Sequence, residues 1–287
     1  MSTGLHAQSA TGYIGNGWVT YGDPDRPELG YVSAGAVEPV ARPSGESIND
    51  ALSRRARPVS NSTAAQRRSV REVTVLPSSP QPGKIIGVGA NYYQTGDAVK
   101  PATYPVLFTK YAASLVGPHD DIVLPPETTH ADYEGELAVV IGARGRRIPA
   151  DRAHEHILGY SVANDVTLRD WQSRSHQWLQ GKAWDRTTPL GPVIAPAERV
   201  DLATARIHTA VNGITVQHGY IRDMIRPVPE LIATISTFTT LEPGDVILTG
   251  TPAHLIPGGP TPLTAGDLVT ITIDGIGRIS NRFTATY

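Results

Sequence analysis

Apolar residues in this chain come in short runs, and most runs are bounded by Gly, Pro, Asn or Asp. Such punctuation favours many short strands over long helices. After a loose tail at 1–12, YIGNGWVTYG and LGYVSAGAVEPV predict short strands within 13–40. SGESINDALSRRA (44–56) has helical spacing, with Ser44 or Ser47 as cap. The following polar stretch, Pro-rich around 77–82, reads as a linker and places a boundary near residue 80. From Lys84 onward the apolar runs are denser. KIIGVGANY, PVLFTKY, DIVLPP, DYEGELAVVIG, GYSVA, VILTGTP, DLVTITIDGIG and RISNRFTATY all predict strands. TARIHTAVNG and ITVQ predict a hairpin turning at Asn212-Gly213. Helices are expected at 149–160, with Pro149 near the start and Gly159 near the end, and at 227–241, opening at Pro229. The pattern is that of a β-rich α+β catalytic domain over 81–287 behind a smaller N-terminal domain over 1–80.

Composition narrows the classes. At 287 residues the chain is long enough to bury a core without staples, and a net charge of −2 gives no global attraction to nucleic acid or anionic membrane. Cysteine is absent, which removes disulfides, thiolate metal sites and Cys nucleophiles. The N-terminal MSTGLHAQSATG lacks the basic start and apolar run of a secretory signal. No run approaches the roughly 18 apolar residues of a membrane span. A cytoplasmic enzyme with a small-molecule substrate, and with neither nucleic-acid nor membrane partners, is the expectation. Lysine is scarce: only Lys84, Lys100, Lys110 and Lys182 occur.

The stretch DYEGELAVVIG (132–142) places Asp132, Glu134 and Glu136 at alternate positions, which share one face of a strand. Three neighbouring carboxylates repel unless water screens them or a cation binds them. The apolar run that follows suits a buried strand, with the carboxylates at its mouth. An all-oxygen set there suits Mg2+ or Mn2+, with Ca2+ also possible. Asp165, directly after the strand-like GYSVA, is either a further oxygen ligand or the N-cap of a helix over VTLRDWQS, and spacing leaves both open.

Taken in order, KIIGVGANY, PVLFTKYAASLVGP, DYEGELAVVIG, GYSVANDVTLRDWQ, QWLQGKAWDRTTPLGP, VNGITVQ, LEPGDVILTGTP and GIGRISN resemble the fumarylacetoacetate hydrolase family over about 84–283. The resemblance implies a mixed β-roll catalytic domain, a homodimer and one divalent metal per subunit. It assigns Glu134, Glu136 and Asp165 as metal ligands, with Asp132 supporting them. It places Lys182, Gln172 and Thr251 (or Thr249) at a 2-oxo or β-dicarbonyl carboxylic acid that chelates the metal. Lys182 would pair with the substrate carboxylate or a developing oxyanion; taken alone it is a solvated surface lysine, and TGTP a tight turn. Lys110 is expected to be structural or entrance-lining. Arg174 and Arg186 either bind an anionic substrate or lie on the surface.

The hydrolytic members carry a His–Glu pair after Asn-Tyr that activates water. Here NYYQTGDA puts Thr95 and Ala98 at those positions, within a lid-like segment at 92–100, and neither residue takes a proton at neutral pH. Either another base serves, or the chemistry is not hydrolysis. His254 in TGTPAHLIPGG is the first candidate base, though it also reads as a surface loop histidine; Asp97 and His176 follow. The leading expectation is C–C bond hydrolysis of an acylpyruvate-type substrate. The alternatives are a decarboxylase, a tautomerase or isomerase, or a dehydration or cyclisation step, and beyond those a non-catalytic metal-binding protein.

Overall fold

A computed structural model describes residues 14–58, 67–93, 102–256 and 259–285. The tail at 1–12 and the positions Thr95, Asp97 and Ala98 lie outside the described residues. One large mixed sheet runs, in spatial order, through Arg68–Ser69, Ala36–Pro39, Arg26–Ser33, Gly17–Asp23, Thr188–Pro196, Ile157–Asn164, Gly135–Ile141, Val246–Leu248, Ile85–Gly89 and Val106–Lys110. A second sheet runs through Ile214–Tyr220, Arg206–Val211, Leu268–Ile273, Gly277–Ala285 and Ile122–Leu124. The two share an apolar core to which Leu137, Val139, Ile207, Ile271 and Phe283 contribute. This is the β-rich α+β architecture that the punctuation of the chain predicts.

Local chemistry explains most of the element ends. Ser47 caps the helix Ile48–Ser53: its side chain accepts from the Asp50 N–H, and Asp50 returns the bond to the Ser47 N–H. Asn212 and Gly213 both have positive φ (51° and 82°) and join Arg206–Val211 to Ile214–Tyr220, as a two-residue hairpin turn requires. The helix Val228–Phe238 follows Pro227 and ends three residues before the expected stop.

The helix expected over 149–160 is a correction. A 3-10 helix spans Ala150–His156, and the chain then enters the strand Ile157–Asn164, buried at every position. That strand lies between Gly135–Ile141 and Thr188–Pro196, and the sheet decides its conformation. Gly159 is no helix stop; a Cβ there would stand 2.1 Å from the Ala195 carbonyl oxygen of the neighbouring strand.

The N-terminal strands join the large sheet through Trp18, which pairs with Ile194. Trp18, Leu29 and Leu52 pack with Val140, Leu158 and Ile194 in one cluster. Ser78 and Ser79, in the segment whose composition suggests a linker, are buried and bonded to Ser161 and to the Gly244 carbonyl. Among the described residues, no helix is long and apolar enough to cross a membrane.

Candidate metal centre and active site

Antiparallel pairing of Gly135 with Asn164 brings the start of one buried strand beside the end of another. Glu134 immediately precedes the first strand, Glu136 is its second residue, and Asp165 follows the second strand. The Asp165 N–H donates to the Glu134 carbonyl at 2.9 Å, and the Glu134 N–H donates to Asn164 Oδ1 at 3.0 Å. Strand pairing and these two bonds therefore fix where the three carboxylate side chains start. One oxygen from each of Glu134, Glu136 and Asp165 lies within 4.8 Å of the others. The exposures are 8%, 1% and 0%, so water does not screen them.

Side-chain cations do part of that work. Lys182 Nζ lies 2.6 Å from both Glu134 Oε2 and Asp165 Oδ2. Lys110 Nζ donates to Asp165 Oδ1 at 2.7 Å. Arg169 Nη2 reaches Glu134 Oε1 at 2.7 Å and Asp132 Oδ2 at 2.6 Å. Glu136 has no ion pair among the described residues; its carboxylate accepts from the Gly250 N–H at 2.8 Å. Four buried carboxylates thus face three cations, and Glu136 is the one left over.

The titration behaviour follows from this imbalance. Burial pushes the Glu136 carboxyl well above its usual range, and the neighbouring charges of Asp165 and Glu134 push the same way. For Asp165, burial also acts upward, but the ammonium groups of Lys110 and Lys182 outweigh it and hold the carboxyl below its ordinary value. Burial lowers Lys110 despite its contact with Asp165. Lys182 is raised: burial opposes its charge, but Asp165, Glu134 and Glu136 prevail. A buried carboxylate without a counter-charge calls for a cation. Three oxygen donors suit a divalent one, and each carboxylate oxygen keeps lone-pair capacity beyond its bond to Lys or Arg. The residues fit such an ion.

A cleft of about 290 Å3 opens onto this centre, lined by Glu134, Glu136, Arg169, Gln172, Thr251 and His254 among others. It suits an acid of a few carbons. Gln172 Oε1 accepts from Arg169 Nη1 at 3.1 Å, so the short helix Arg169–Gln172 presents both residues together. Thr251 Oγ1 accepts from Gln217 Nε2 at 2.9 Å, while the Thr249 hydroxyl is turned back onto the Leu137 carbonyl. Of the two threonines in the turn, Thr251 is therefore the one at the cleft. The His254 ring stands edge-on to Tyr133, with centroids 5.2 Å apart.

Several expectations change. Lys182 is buried, not the solvated lysine it resembles when taken alone, and of the two roles expected for Lys110 the buried side chain fits the structural one, since each lysine neutralises a buried carboxylate. Asp165 is no helix cap: the helix that follows starts at Arg169, and the Asp165 carboxylate faces the two lysines. Arg174 stacks on the Trp171 ring, and Arg186 and His176 are exposed; none of the three lines the cleft. Arg169 and Gln217 had no role in the sequence reading. Arg169 was visible through its i, i+3 spacing from Gln172. Gln217, whose Oε1 accepts from the Gly135 N–H, had no signal beyond lying in a matched block.

A β-rich fold with a buried carboxylate centre at adjoining strand ends defines a class, and residues 84–284 match the model of the fumarylacetoacetate (FAA) hydrolase C-terminal domain. The mitochondrial oxaloacetate tautomerase FAHD2A of Homo sapiens is 43% identical over 218 residues, covering 74% of this chain and 69% of that protein. The oxaloacetate tautomerase YisK of Bacillus subtilis is 42% identical over 224 residues, covering 75% and 74%. A fumarylacetoacetate hydrolase structure from psychrophilic Exiguobacterium antarcticum superposes with a TM-score of 0.82 at 35% identity, covering 94% of this chain and 100% of that one. The chain belongs to the fumarylacetoacetate hydrolase family.

Proposed function

We propose that the chain is a tautomerase or isomerase of small 2-oxo dicarboxylic acids that works with Mg2+ or Mn2+, as a cytoplasmic homodimer. The observation that carries this reading is Glu136: a fully buried carboxylate, without an ion-pair partner among the described residues, beside Glu134 and Asp165 at the floor of a small cleft. A divalent cation bound by the three supplies Lewis acidity toward the oxygens of a chelating 2-oxo acid. Lys182 and Arg169 each pair with Glu134 and orient it; Arg169 also presents positive charge to the cleft. Gln172 and Thr251 offer neutral hydrogen-bonding groups for the substrate's remaining oxygens.

Two observations favour tautomerisation over the hydrolysis expected first. Thr95 and Ala98 stand where hydrolytic members carry the water-activating pair, and keto–enol exchange needs no attacking water. The human and Bacillus subtilis relatives, at 43% and 42% identity, are named oxaloacetate tautomerases, whereas the hydrolase structure is 35% identical. The test is enol-oxaloacetate with the protein and Mg2+ or Mn2+, following enol absorbance and CO2 together. Accelerated loss of the enol without CO2 is expected, stopped by chelator and lowered about 1,000-fold or more by Glu136→Gln, in line with the several kcal/mol such an ion supplies. CO2 release would make the protein a decarboxylase. Cleavage of an acylpyruvate with no effect on enol-oxaloacetate would restore hydrolysis.

A further inference from the structure

Proton exchange between carbon and oxygen needs a group that gives and takes protons at neutral pH, and the cleft offers few. Glu134 and Glu136 belong to the candidate metal centre. Arg169 is held cationic: burial opposes its charge, but Glu134 and Asp132 more than compensate. Lys182 is likewise held protonated by the carboxylates around it. Gln172 and Thr251 do not titrate in this range. His254 is what remains among the described cleft-lining side chains.

The structure holds that ring in place without occupying it. The His254 backbone bridges to Gln217, and the Leu255 N–H donates to the Val216 carbonyl at 2.8 Å, fixing this loop to the strand Ile214–Tyr220. Tyr133 supports the ring from one side. Nδ1 is buried without a hydrogen-bond partner. Nε2 lies 3.6 Å from Asp132 Oδ2, too long for a hydrogen bond but close enough to steady a positive ring. Asp132 is itself fixed, its Oδ2 accepting from Arg169 Nε and Nη2 and its Oδ1 from the Tyr133 N–H.

Resting on the tautomerase reading, we propose that His254 is the catalytic acid–base that carries the proton between the carbon next to the carbonyl and the carbonyl oxygen, with Asp132 as its positioning residue. In the keto-to-enol direction the neutral ring takes a proton from that carbon. The C–H electron pair becomes the C=C bond, the carbonyl π pair moves to oxygen, and the ring returns its proton to that oxygen. One proton changes place and no electron is gained or lost. Burial and the charge of Arg169 favour the neutral ring; Asp132 and Glu134 favour the charged one; burial prevails and places the ring below the ordinary histidine range. The ring is therefore ready to accept a proton at neutral pH.

The experiment follows exchange of the C3 hydrogens of oxaloacetate for deuterium by NMR, in wild type, His254→Gln and His254→Asn, with Mn2+ binding measured in parallel. The rate in wild type is expected to fall as the pH drops through and below the histidine range. Both variants should lose about 100- to 10,000-fold in kcat with KM changed little, bind Mn2+ as wild type does, and lack the acid limb. Exchange at the wild-type rate in the variants overturns the assignment of His254 alone. So does a slowed variant that keeps the acid limb or binds Mn2+ poorly, since that marks a structural role. Absence of exchange in metal-loaded wild type overturns both this inference and the tautomerase reading.

Discussion

Glu136 and its neighbours make metal binding and pH one problem. With its pKa raised by burial and by Asp165 and Glu134, Glu136 binds a proton more tightly in the folded chain than in the unfolded one. That proton's contribution to stability is present below the ordinary carboxylate range and is lost as pH rises through the raised folded value. A divalent ion takes the proton's place, so its affinity increases over the same interval. The difference in Tm between protein with Mn2+ and protein with chelator should therefore widen as pH rises from acid toward neutral, and Glu136→Gln should flatten it. Scanning calorimetry at several pH values checks this; a difference independent of pH in wild type would remove Glu136 from the centre. At this scale the sequence was informative. Alternate carboxylates before an apolar run announced Glu134 and Glu136, and the scarcity of lysine drew attention to Lys182. Lys110 was undervalued, although alternation in the strand Val106–Lys110 places it on the inward face with Phe108. What alternation could not show was the acid it meets, Asp165, which is far away in sequence.

Among the elements, the turn after Val246–Leu248 couples fold to site. The Thr249 N–H and hydroxyl both donate to the Leu137 carbonyl, and Gly250, at φ +96°, aims its N–H at Glu136. A Cβ at Gly250 would stand 2.8 Å from the Asn91 Cβ, and the Asn91 side-chain amide donates to the Thr249 and Arg226 carbonyls. Gly250→Ala should therefore lose about 1–3 kcal/mol of stability and weaken Mn2+ binding. Gly35→Ala, also at positive φ (+77°) but with nothing within 4 Å of its Cβ, should lose stability through backbone strain alone and bind Mn2+ normally. Urea unfolding and a Mn2+ titration separate the two, and equal Mn2+ affinity in both variants would refute the coupling. TGTP was legible as a turn. Of the strand 157–164, GYSVA was legible but its start was not: residues 157–160 fell within the expected helix, because burial on both faces erases the alternation that distinguishes strand from helix.

On the scale of the whole molecule, the least legible feature is how the N-terminal strands join the rest. Gly17–Asp23 pairs with Thr188–Pro196, a partner no local pattern could announce, since strand pairing between distant segments leaves no periodicity in either. The consequence is energetic. Trp18 is fully buried, its indole N–H donates to the Ala56 carbonyl at 2.6 Å, and with Leu29 and Leu52 it covers Val140, Leu158 and Ile194. Val140 and Leu158 lie in the two strands whose ends carry Glu134, Glu136 and Asp165, so this cover lies over the frame of the metal centre. A chain beginning at residue 81 would expose those apolar side chains and leave Thr188–Pro196 with an unpaired edge there, the condition that favours edge-to-edge association. It should aggregate, or melt well below the full chain, and lose the Tm gain that Mn2+ gives the full chain. Light scattering and calorimetry on the two chains decide the matter: a monodisperse 81–287 fragment with the full chain's Tm and Mn2+ response would show that the N-terminal strands are an appendage and not part of the frame that holds the carboxylates.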